Sequence, residues 1–195
     1  AELRPADHLW GKTTAECQET VKAELGEKNA RFALIGPAGE KMVRYACVIN
    51  DLKHAAGRTG LGAVMGSKKL KCVVARGTTP VPVADKDAVS ALARFMATNW
   101  KKMSYSMHEL GTPGGLTGLH KQGKLPTRNF QDGQFEGNEL IGGEALRDTL
   151  LIDRGGCYAC PIRCKRVVEV DDADYKVDPI YGGPEYETLG SFGSV

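Results

Sequence analysis

The sequence predicts an α/β part in the first 84 residues and a mostly α-helical part in the remainder. Strand-like and helical segments alternate in the first part, whereas helical apolar spacing predominates in the second. A proline-rich stretch, residues 80–85, separates the two and is typical of a domain boundary. We therefore expect two domains or parts of domains, at residues 1–84 and 85–195.

The first part begins with a predicted helix over residues 15–27, which Thr13 or Thr14 can cap. Cys17 lies on the apolar face of this helix, so we interpret it as a core residue. Apolar or alternating segments then predict three strands, at residues 31–36, 43–49 and 70–77. In the second of these strands the alternation predicts that Cys47 is a core residue.

The second part opens with a predicted helix over residues 86–102, whose apolar stripe we interpret as a packing surface. The stripe consists of Val89, Leu92, Ala93, Met96 and Trp100. Further segments predict short helices at 105–111 and 144–150, an irregular connection at 129–141, and a strand at 166–170. A last helix is expected to begin near Pro184.

The composition narrows the class of protein. Hydrophobic residues make up 42% and charged residues 26% of the chain, as in soluble globular proteins. The net charge of +2 gives no reason to expect a nucleic acid or a membrane as a partner. No run of about 18 apolar residues is present, and the first residues do not resemble a signal peptide. We expect a cytoplasmic protein.

The two ends of the sequence indicate a fragment of a longer protein. The chain does not start with methionine, and it stops at Val195 soon after a predicted helix start. We therefore interpret it as a fragment, and we expect the fragment alone to be inactive.

Three closely spaced cysteines are the strongest chemical signal. Cys157, Cys160 and Cys164 form a C-x2-C-x3-C array, and six cysteines in total favour metal binding in a reducing compartment over a disulfide scaffold. This spacing is typical of iron–sulfur cluster ligands. Pro161 would stiffen the turn between the second and third thiols. No cysteine follows Cys164, so a fourth ligand must come from elsewhere.

Basic residues surround this array. They are Arg163, Lys165 and Arg166. Positive charge beside a thiol favours the thiolate, so we expect these residues to lower the pKa values of the cysteines.

A glycine-rich stretch around Arg58 is a second candidate site. Glycines allow a close approach of the backbone to a ligand, and the planar guanidinium suits phosphate. The stretch matches neither a dinucleotide fingerprint nor a P-loop, so a purely structural turn is an equal alternative.

Two glutamates follow the cysteine array in the segment G-G-P-E-Y-E-T. Glu185 and Glu187 would lie in the first turn of the last helix, where carboxylates stabilise the helix N-terminus. A functional role beside the cysteine turn is the alternative.

Three groups of motifs, taken together and in order, resemble one family. The segments are A-G-R-T-G-L-G-A-V-M-G-S-K-K-L-K, then L-P-T-R-N-F, then C-Y-A-C-P-I-R-C-K-R followed by G-G-P-E-Y-E-T. They are similar to segments of the aldehyde ferredoxin oxidoreductase family of tungsten- and molybdenum-pterin enzymes. The motifs span residues 55–188, and the chain would be only part of a typical member.

The resemblance implies two cofactors. A tungsten or molybdenum ion would be held by the dithiolene sulfurs of two pterins, and a 4Fe-4S cluster would carry electrons to ferredoxin or another electron-transfer subunit. Residues 1–84 would be the C-terminal part of a domain that covers the pterin. Residues 85–195 would begin the helical domain that carries the cysteine turn.

The resemblance also implies roles for individual residues. Cys157, Cys160 and Cys164 would be three of the four cluster ligands, and Glu187 or Glu185 would lie near the metal. The residues expected against the pterin are Gly57, Arg58, Gly60, Leu61 and Gly62.

The implied reaction is the oxidation of a small aldehyde to a carboxylic acid. A homo-oligomeric state is a further expectation. The alternative within the family is a member that acts on another substrate; an aromatic thioester reductase subunit is an example of such a member. Two alternatives from other classes are an iron–sulfur electron carrier without pterin and a structural zinc site. Zinc sites usually pair two cysteine knuckles, or a knuckle with two histidines, and the sequence shows neither pattern.

Overall fold

A four-stranded antiparallel sheet organises the first of the two units into which the chain folds. The computed structural model describes residues 1–193, and the units are Ala1–Val81 and Pro82–Val195. The division lies in the proline-rich stretch. The assignment of residues 1–84 and 85–195 to a pterin-binding and an iron–sulfur domain stays a prediction, and residues 194–195 lie outside the described part.

The sheet of the first unit has the strand order β3-β2-β1-β4. Its strands are β1 (Arg31–Leu34), β2 (Val48–Asn50), β3 (His54–Ala56) and β4 (Cys72–Ala75). The helices of this unit are α1 (Thr14–Leu25), α2 (Pro37–Glu40) and α3 (Leu61–Ser67).

Helix α1 follows its sequence signals closely. The Thr13 side chain accepts a hydrogen bond from the Glu16 backbone N–H, and the Glu16 side chain accepts one from the Thr13 N–H, which is a capping box. The helix ends at Gly26, whose φ of 61° is left-handed. Cys17 is fully buried, so its interpretation as a core residue is confirmed. The core around it consists of Leu9, Cys17, Val21, Ala30, Phe32 and Leu34.

The strand predicted at residues 43–49 is wrong except for its end. Only Val48–Asn50 is extended, Tyr45 is 81% exposed, and Cys47 is half-buried outside the strand rather than a strand core residue. The backbone before β2 serves a different purpose, because the Ala46 carbonyl accepts a hydrogen bond from the Gly62 N–H of α3 at 2.9 Å. This tertiary contact replaces the strand ladder that the alternating pattern suggested.

The second unit begins with a long helix, α4 (Lys86–Leu110), capped by the Asp85 side chain. Its backbone is non-helical at Ser104, so the two helices predicted at 86–102 and 105–111 form one kinked element. None of its residues is buried within the described part, and Val89 and Leu92 are 54% and 64% exposed. Two further members of the predicted packing stripe, Met96 and Trp100, are half-buried, and the Trp100 ring lies 4.7 Å from the His108 ring. The packing interpretation therefore agrees with this end of the stripe and not with Val89 and Leu92. Near its C-terminal end the helix also packs on the elements that follow it.

The rest of this unit is made of short elements. They are α5 (Leu116–Lys121), α6 (Asn138–Ile141), α7 (Gly143–Thr149), β5 (Leu151–Gly155), β6 (Lys165–Val168), β7 (Val170–Asp171), β8 (Lys176–Val177) and α8 (Tyr186–Thr188). The sequence did not indicate β5, which pairs with β6 as an antiparallel hairpin. The strand predicted at 166–170 is split between β6 and β7. The predicted fold class, an α/β part followed by a mostly helical part, is confirmed.

Within residues 1–193, no helix has both the length and the apolar composition that crossing a membrane requires.

A buried ion pair joins three segments of the first unit. The ammonium of Lys71, whose side chain is fully buried, contacts the Glu40 carboxylate and donates to the Lys12 carbonyl at 2.9 Å. The Gly11 N–H donates to the same carboxylate at 2.9 and 3.0 Å. Each charge is thus compensated by the other and by backbone groups, which is the condition for keeping an ion pair inside a protein.

Substituting Lys71→Met should destabilise the chain strongly, because the buried Glu40 carboxylate loses its counter-charge. We expect the free energy of unfolding to fall by about 3–5 kcal/mol in a urea titration. Arg31→Met is the matched control, since Arg31 pairs with Asp51 at 3.2 Å on the surface. Equal losses in the two variants would contradict the assignment of a structural role to the buried pair.

Candidate metal centre and its surroundings

The cysteine turn is the connection of the β5–β6 hairpin. The hairpin register pairs Gly155 with Lys165, so all three cysteines lie in the loop between these two residues. The Cys160 N–H donates to the Cys157 carbonyl at 3.1 Å, which closes a tight turn. Ala159 and Arg163 have positive φ angles of 56° and 51°. The hairpin therefore concentrates three thiols in one short, sharply folded loop.

The thiols themselves are available as ligands. Cys157 is exposed, Cys160 and Cys164 are half-buried, and none is in a disulfide. Across residues 1–193, no three His, Cys, Asp or Glu side chains are already arranged to hold a metal ion. Three free thiols on one turn nevertheless have the donor chemistry that an iron–sulfur cluster requires. The loop fits such a group in its donor set, and the ligand assignment stays a prediction.

The expected lowering of cysteine pKa values by basic neighbours is wrong for Cys164. Burial raises the pKa of this thiol, the nearby Glu185 carboxylate raises it further, and the Lys165 ammonium only partly opposes these effects. The basic residues act elsewhere: Arg163 lies 3.3 Å from Asp153, and Lys165 lies 2.7 Å from Glu185. Their charge is therefore largely matched by carboxylates.

The Arg166 side chain is buried and holds the cysteine turn through hydrogen bonds to backbone carbonyls. It is 1% exposed, and its guanidinium donates to the carbonyls of Glu109 and His108 at 2.7 and 2.8 Å. It also donates to the carbonyls of Arg163 and Cys164, both at 3.2 Å. The first two acceptors are at the C-terminus of α4, where a cation is favourable. Arg166 therefore ties the cysteine turn to the end of this helix.

Two further features complete this junction. One ring nitrogen of His108, Nδ1, lies 2.7 Å from the Ile162 carbonyl in the cysteine turn. Gly111 has a φ of 66°, and a Cβ atom there would lie 2.9 Å from both Arg166 Nε and the Cys164 carbonyl. Only glycine leaves room for the guanidinium at this position.

Glu185 connects the cysteine turn to the G-P-E-Y-E segment. Lys165 Nζ lies 2.7 Å from its Oε1 atom in an ion pair that lacks hydrogen-bond geometry. The Thr112 hydroxyl donates to Oε2 at 2.5 Å and accepts a hydrogen bond from the Tyr186 N–H at 2.9 Å. Glu185 is the N-cap residue of α8, so the helix begins two residues after Pro184, near its predicted start, and Glu187 lies in its first turn as predicted.

Glu187 lies in a different environment. Its side chain is exposed, and it forms part of the wall of a cavity of about 420 Å³ in the second unit. Ser106, Leu110, Thr112 and Tyr186 also line this cavity. The structure thus brings Glu185 to the cysteine turn, whereas Glu187 is exposed and lines the cavity.

The glycine-rich stretch of the first unit divides into two groups. Gly60 has a φ of 68°, and its Cβ would lie 2.2 Å from the Arg44 carbonyl, whereas a Cβ on Gly62 would lie 2.5 Å from the Cys47 carbonyl. These two glycines allow α3 to pack against the backbone before β2. Gly57 and Arg58 are exposed, and Leu61 is 45% exposed. These three residues are accessible to a ligand.

Sequence reasoning missed the roles of Thr112, His108 and Arg166. A signal existed for Arg166, because it alternates with Val168 on the buried side of β6. A charged residue at an inward position of a strand indicates a specific buried partner. Thr112 and His108 gave no such signal, since their partners are 54 to 74 residues away in sequence.

Comparison with known proteins gives the family. The model for "Aldehyde ferredoxin oxidoreductase, N-terminal domain" matches residues 1–77, and the model for "Aldehyde ferredoxin oxidoreductase, domains 2 & 3" matches residues 88–195. The chain belongs to the aldehyde ferredoxin oxidoreductase family. The resemblance inferred from the three groups of motifs is thereby confirmed.

Individual relatives agree with this membership. A tungsten-containing aldehyde ferredoxin oxidoreductase of Thermococcus kodakarensis is 40% identical over 99% of this chain and 32% of its own length. The WOR-like subunit of an aliphatic sulfonate oxidoreductase from Pyrococcus furiosus is 33% identical over 99% of this chain and 33% of its own length. The chain spans about a third of the length of the curated relatives that it matches.

A solved structure is similar as well. The active-site complex BamBC of benzoyl coenzyme A reductase, with bound 1,5-dienoyl-CoA, gives a TM-score of 0.61 at 30% sequence identity. The match covers 87% of this chain and 28% of that one.

Replacing Arg166 by glutamine should loosen the cysteine turn, because buried carbonyls lose charged donors that each contribute about 1.5–3 kcal/mol. We expect a lower free energy of unfolding and faster amide hydrogen exchange at residues 162–166. Arg163→Gln is the control, because Arg163 makes a half-exposed ion pair on the same turn. Unchanged exchange in Arg166→Gln would show that the guanidinium does not hold the turn.

Proposed function

We propose that the chain is part of an oxidoreductase that oxidises aldehydes to carboxylic acids and passes the electrons through a 4Fe-4S cluster to ferredoxin. The observation that carries the proposal is the cysteine turn. Arg166 connects this turn to the end of α4, and the Lys165–Glu185 ion pair connects it to the G-P-E-Y-E segment. It occurs in a chain that is 40% identical, over nearly all its length, to a tungsten-containing aldehyde ferredoxin oxidoreductase.

The cluster would be held by Cys157, Cys160 and Cys164, with a fourth ligand from outside this turn. When bound, the pterin-held tungsten or molybdenum supplies two-electron chemistry, and the cluster exports electrons one at a time. The protein's contribution at the cluster is positional. Arg166 and His108 hold three consecutive carbonyls of the turn, those of residues 162–164, and so fix the direction in which the loop presents its thiols.

The two glutamates have different roles in this proposal. The Glu187 carboxylate is accessible at the wall of a cavity, so it can accept a proton from water or substrate. The Glu185 carboxylate already contacts Lys165 and Thr112, so it positions the segment that carries Glu187. We therefore assign the proton-transfer role to Glu187 and the supporting role to Glu185.

In the first unit, we assign the pterin contacts to the accessible members of the glycine-rich stretch. The Arg58 side chain makes no hydrogen bond or ion pair within residues 1–193, so its guanidinium is free to bind a phosphate group. Gly57 and Leu61 lie beside it and are also exposed. Gly60 and Gly62 keep the stretch in shape through the close packing of α3.

A second candidate function keeps the cofactors and changes the substrate. It is supported by the similarity to a sulfonate oxidoreductase subunit and to a benzoyl coenzyme A reductase complex. Assays with a small aldehyde, a sulfonate and an aromatic thioester would separate these possibilities. Ferredoxin as electron acceptor, a homo-oligomeric state and a cytoplasmic location stay predictions in either case.

The decisive test is metal and pterin analysis of the full chain purified without oxygen, followed by an aldehyde oxidation assay. Tungsten or molybdenum, pterin and about four irons per chain would support the proposal. Iron without pterin would favour the electron carrier, and zinc alone would favour the structural metal site.

Substituting Cys160→Ala in the full chain should remove a cluster ligand, with loss of bound iron and of ferredoxin reduction. Iron analysis and the characteristic visible absorption of the cluster give the measurement. Cys47→Ala is the control, because Cys47 is a half-buried cysteine of the first unit. If Cys160→Ala retains its iron, this residue is not a ligand.

Substituting Glu187→Gln should lower the rate of aldehyde oxidation by about 10²–10⁴-fold, the usual contribution of a positioned acid or base. Iron and pterin content should stay unchanged. Glu169→Gln, at an exposed position of the same unit, serves as the control. A full rate in Glu187→Gln together with a large loss in Glu185→Gln would reverse the two assignments.

A further inference from the structure

A pair of cysteines in the first unit lies outside everything that the proposed function uses. Cys17 is in α1 and is fully buried in the core cluster, and Cys72 begins β4 and packs against the same cluster. Both thiols are free, and each has the other as the largest influence on its pKa, as expected for neighbouring side chains in one core cluster. Helix and sheet packing thus brings together two sulfur atoms that are 55 positions apart in the sequence.

The two thiols are chemically unequal. The neighbouring Cys17 thiol lowers the pKa of Cys72; burial opposes this shift and the Lys71 ammonium supports it. The Cys72 sulfur and burial together raise the pKa of Cys17. Two carboxylates, Glu24 and Glu40, act weakly against the thiolate forms. An accepting thiolate beside a donating thiol is the arrangement in which one sulfur attacks and the other resolves.

Cys72 is also accessible, because it lines a cavity of about 640 Å³ in the first unit. Leu9, Val21 and Val74 form apolar parts of its wall. This volume is in the range of sites for small molecules. Cys17, by contrast, has no exposed surface, so a reagent reaches the pair only through Cys72.

The charges around the cavity favour the binding of an anionic ligand. His8 Nε2 lies 2.7 Å from the Glu24 carboxylate and Arg76 lies 3.2 Å from the Glu27 carboxylate, so each of these acids has a polar partner. Lys68 and Lys69 also line the cavity, and within residues 1–193 neither has an ion-pair partner. Two unpaired ammonium groups attract carboxylates.

We propose that Cys72 and Cys17 form a redox-active dithiol whose substrate is a small disulfide that carries carboxylate groups and enters this cavity. In the first step the Cys72 thiolate attacks one sulfur of the disulfide, forms a mixed disulfide, and releases one thiolate. In the second step the Cys17 sulfur attacks the Cys72 sulfur, forms the Cys17–Cys72 disulfide, gives up its proton, and releases the second thiol. The two cysteines are oxidised by two electrons, and the small disulfide is reduced to two thiols.

The test uses oxidised glutathione as the probe, added without oxygen to the full cofactor-loaded chain near pH 7.5. After alkylation of free thiols, trypsin releases Cys17 in the peptide of residues 13–22 and Cys72 in the peptide of residues 72–76. We expect a disulfide-linked pair of these two peptides. Cys17→Ser should stop at a glutathione adduct on residues 72–76, and Cys72→Ser should leave residues 13–22 unmodified.

A further variant tests the charge of the cavity. The double substitution of Lys68 and Lys69 to glutamine should slow the reaction with oxidised glutathione severalfold. It should not slow the reaction with cystamine, a disulfide that carries positive charges. Equal slowing with both reagents would show that the ammonium groups of Lys68 and Lys69 do not attract the anionic disulfide.

The wild-type chain alone can overturn the proposal, so the test does not depend on the folding of any variant. If both peptides remain reduced after prolonged exposure of the native chain, but react once the chain is unfolded in urea, the pair is an inert part of the core. If oxidised glutathione modifies only Cys157, Cys160 and Cys164, the Cys17–Cys72 pair is likewise inert. Both outcomes leave the proposed aldehyde oxidation untouched, because the dithiol has no part in it.

Discussion

The buried guanidinium of Arg166 is the interaction on which the second unit depends most. A cation that is almost completely removed from water requires compensation, and here four backbone carbonyls provide it instead of a carboxylate. Two of these carbonyls end α4, and two belong to the cysteine turn. One side chain therefore joins the longest helix of the chain to the loop that carries the candidate cluster ligands. Gly111 is part of the same arrangement, since any larger residue would occupy the space of the guanidinium.

The charges around the cysteine turn form a balanced set rather than a positive patch. Arg163 and Lys165 each face a carboxylate, and Arg166 faces carbonyls. Burial and, after it, the Glu185 carboxylate raise the pKa of Cys164. A cluster that binds there has to displace protons from its ligands, so metal binding and thiol deprotonation are coupled. Glu185 extends the balance to the G-P-E-Y-E segment, which connects the candidate cluster loop to the candidate acid–base residue.

The first unit uses polar and small residues for packing as well as for candidate chemistry. Gly60 and Gly62 permit a close approach of α3, and the buried Lys71–Glu40 pair fastens β4 to α2. Beside this pair, Cys72 lies between the core and a cavity. The same local environment therefore supports the fold and places one thiol at the wall of a cavity. The cysteine pair follows from the packing of α1 on β4.

The sequence by itself determined the family, the fold class and the candidate site residues, because local spacing carries that information. C-x2-C-x3-C places three thiols in one turn, and the Thr13–Glu16 spacing marks the start of α1. Tertiary structure decided what local patterns cannot express. It made the alternating segment before β2 a support for α3, left Val89 and Leu92 of the α4 stripe exposed, and placed the Arg166 side chain in the interior. Each of these outcomes depends on partners many residues distant, whose proximity only the folded backbone creates.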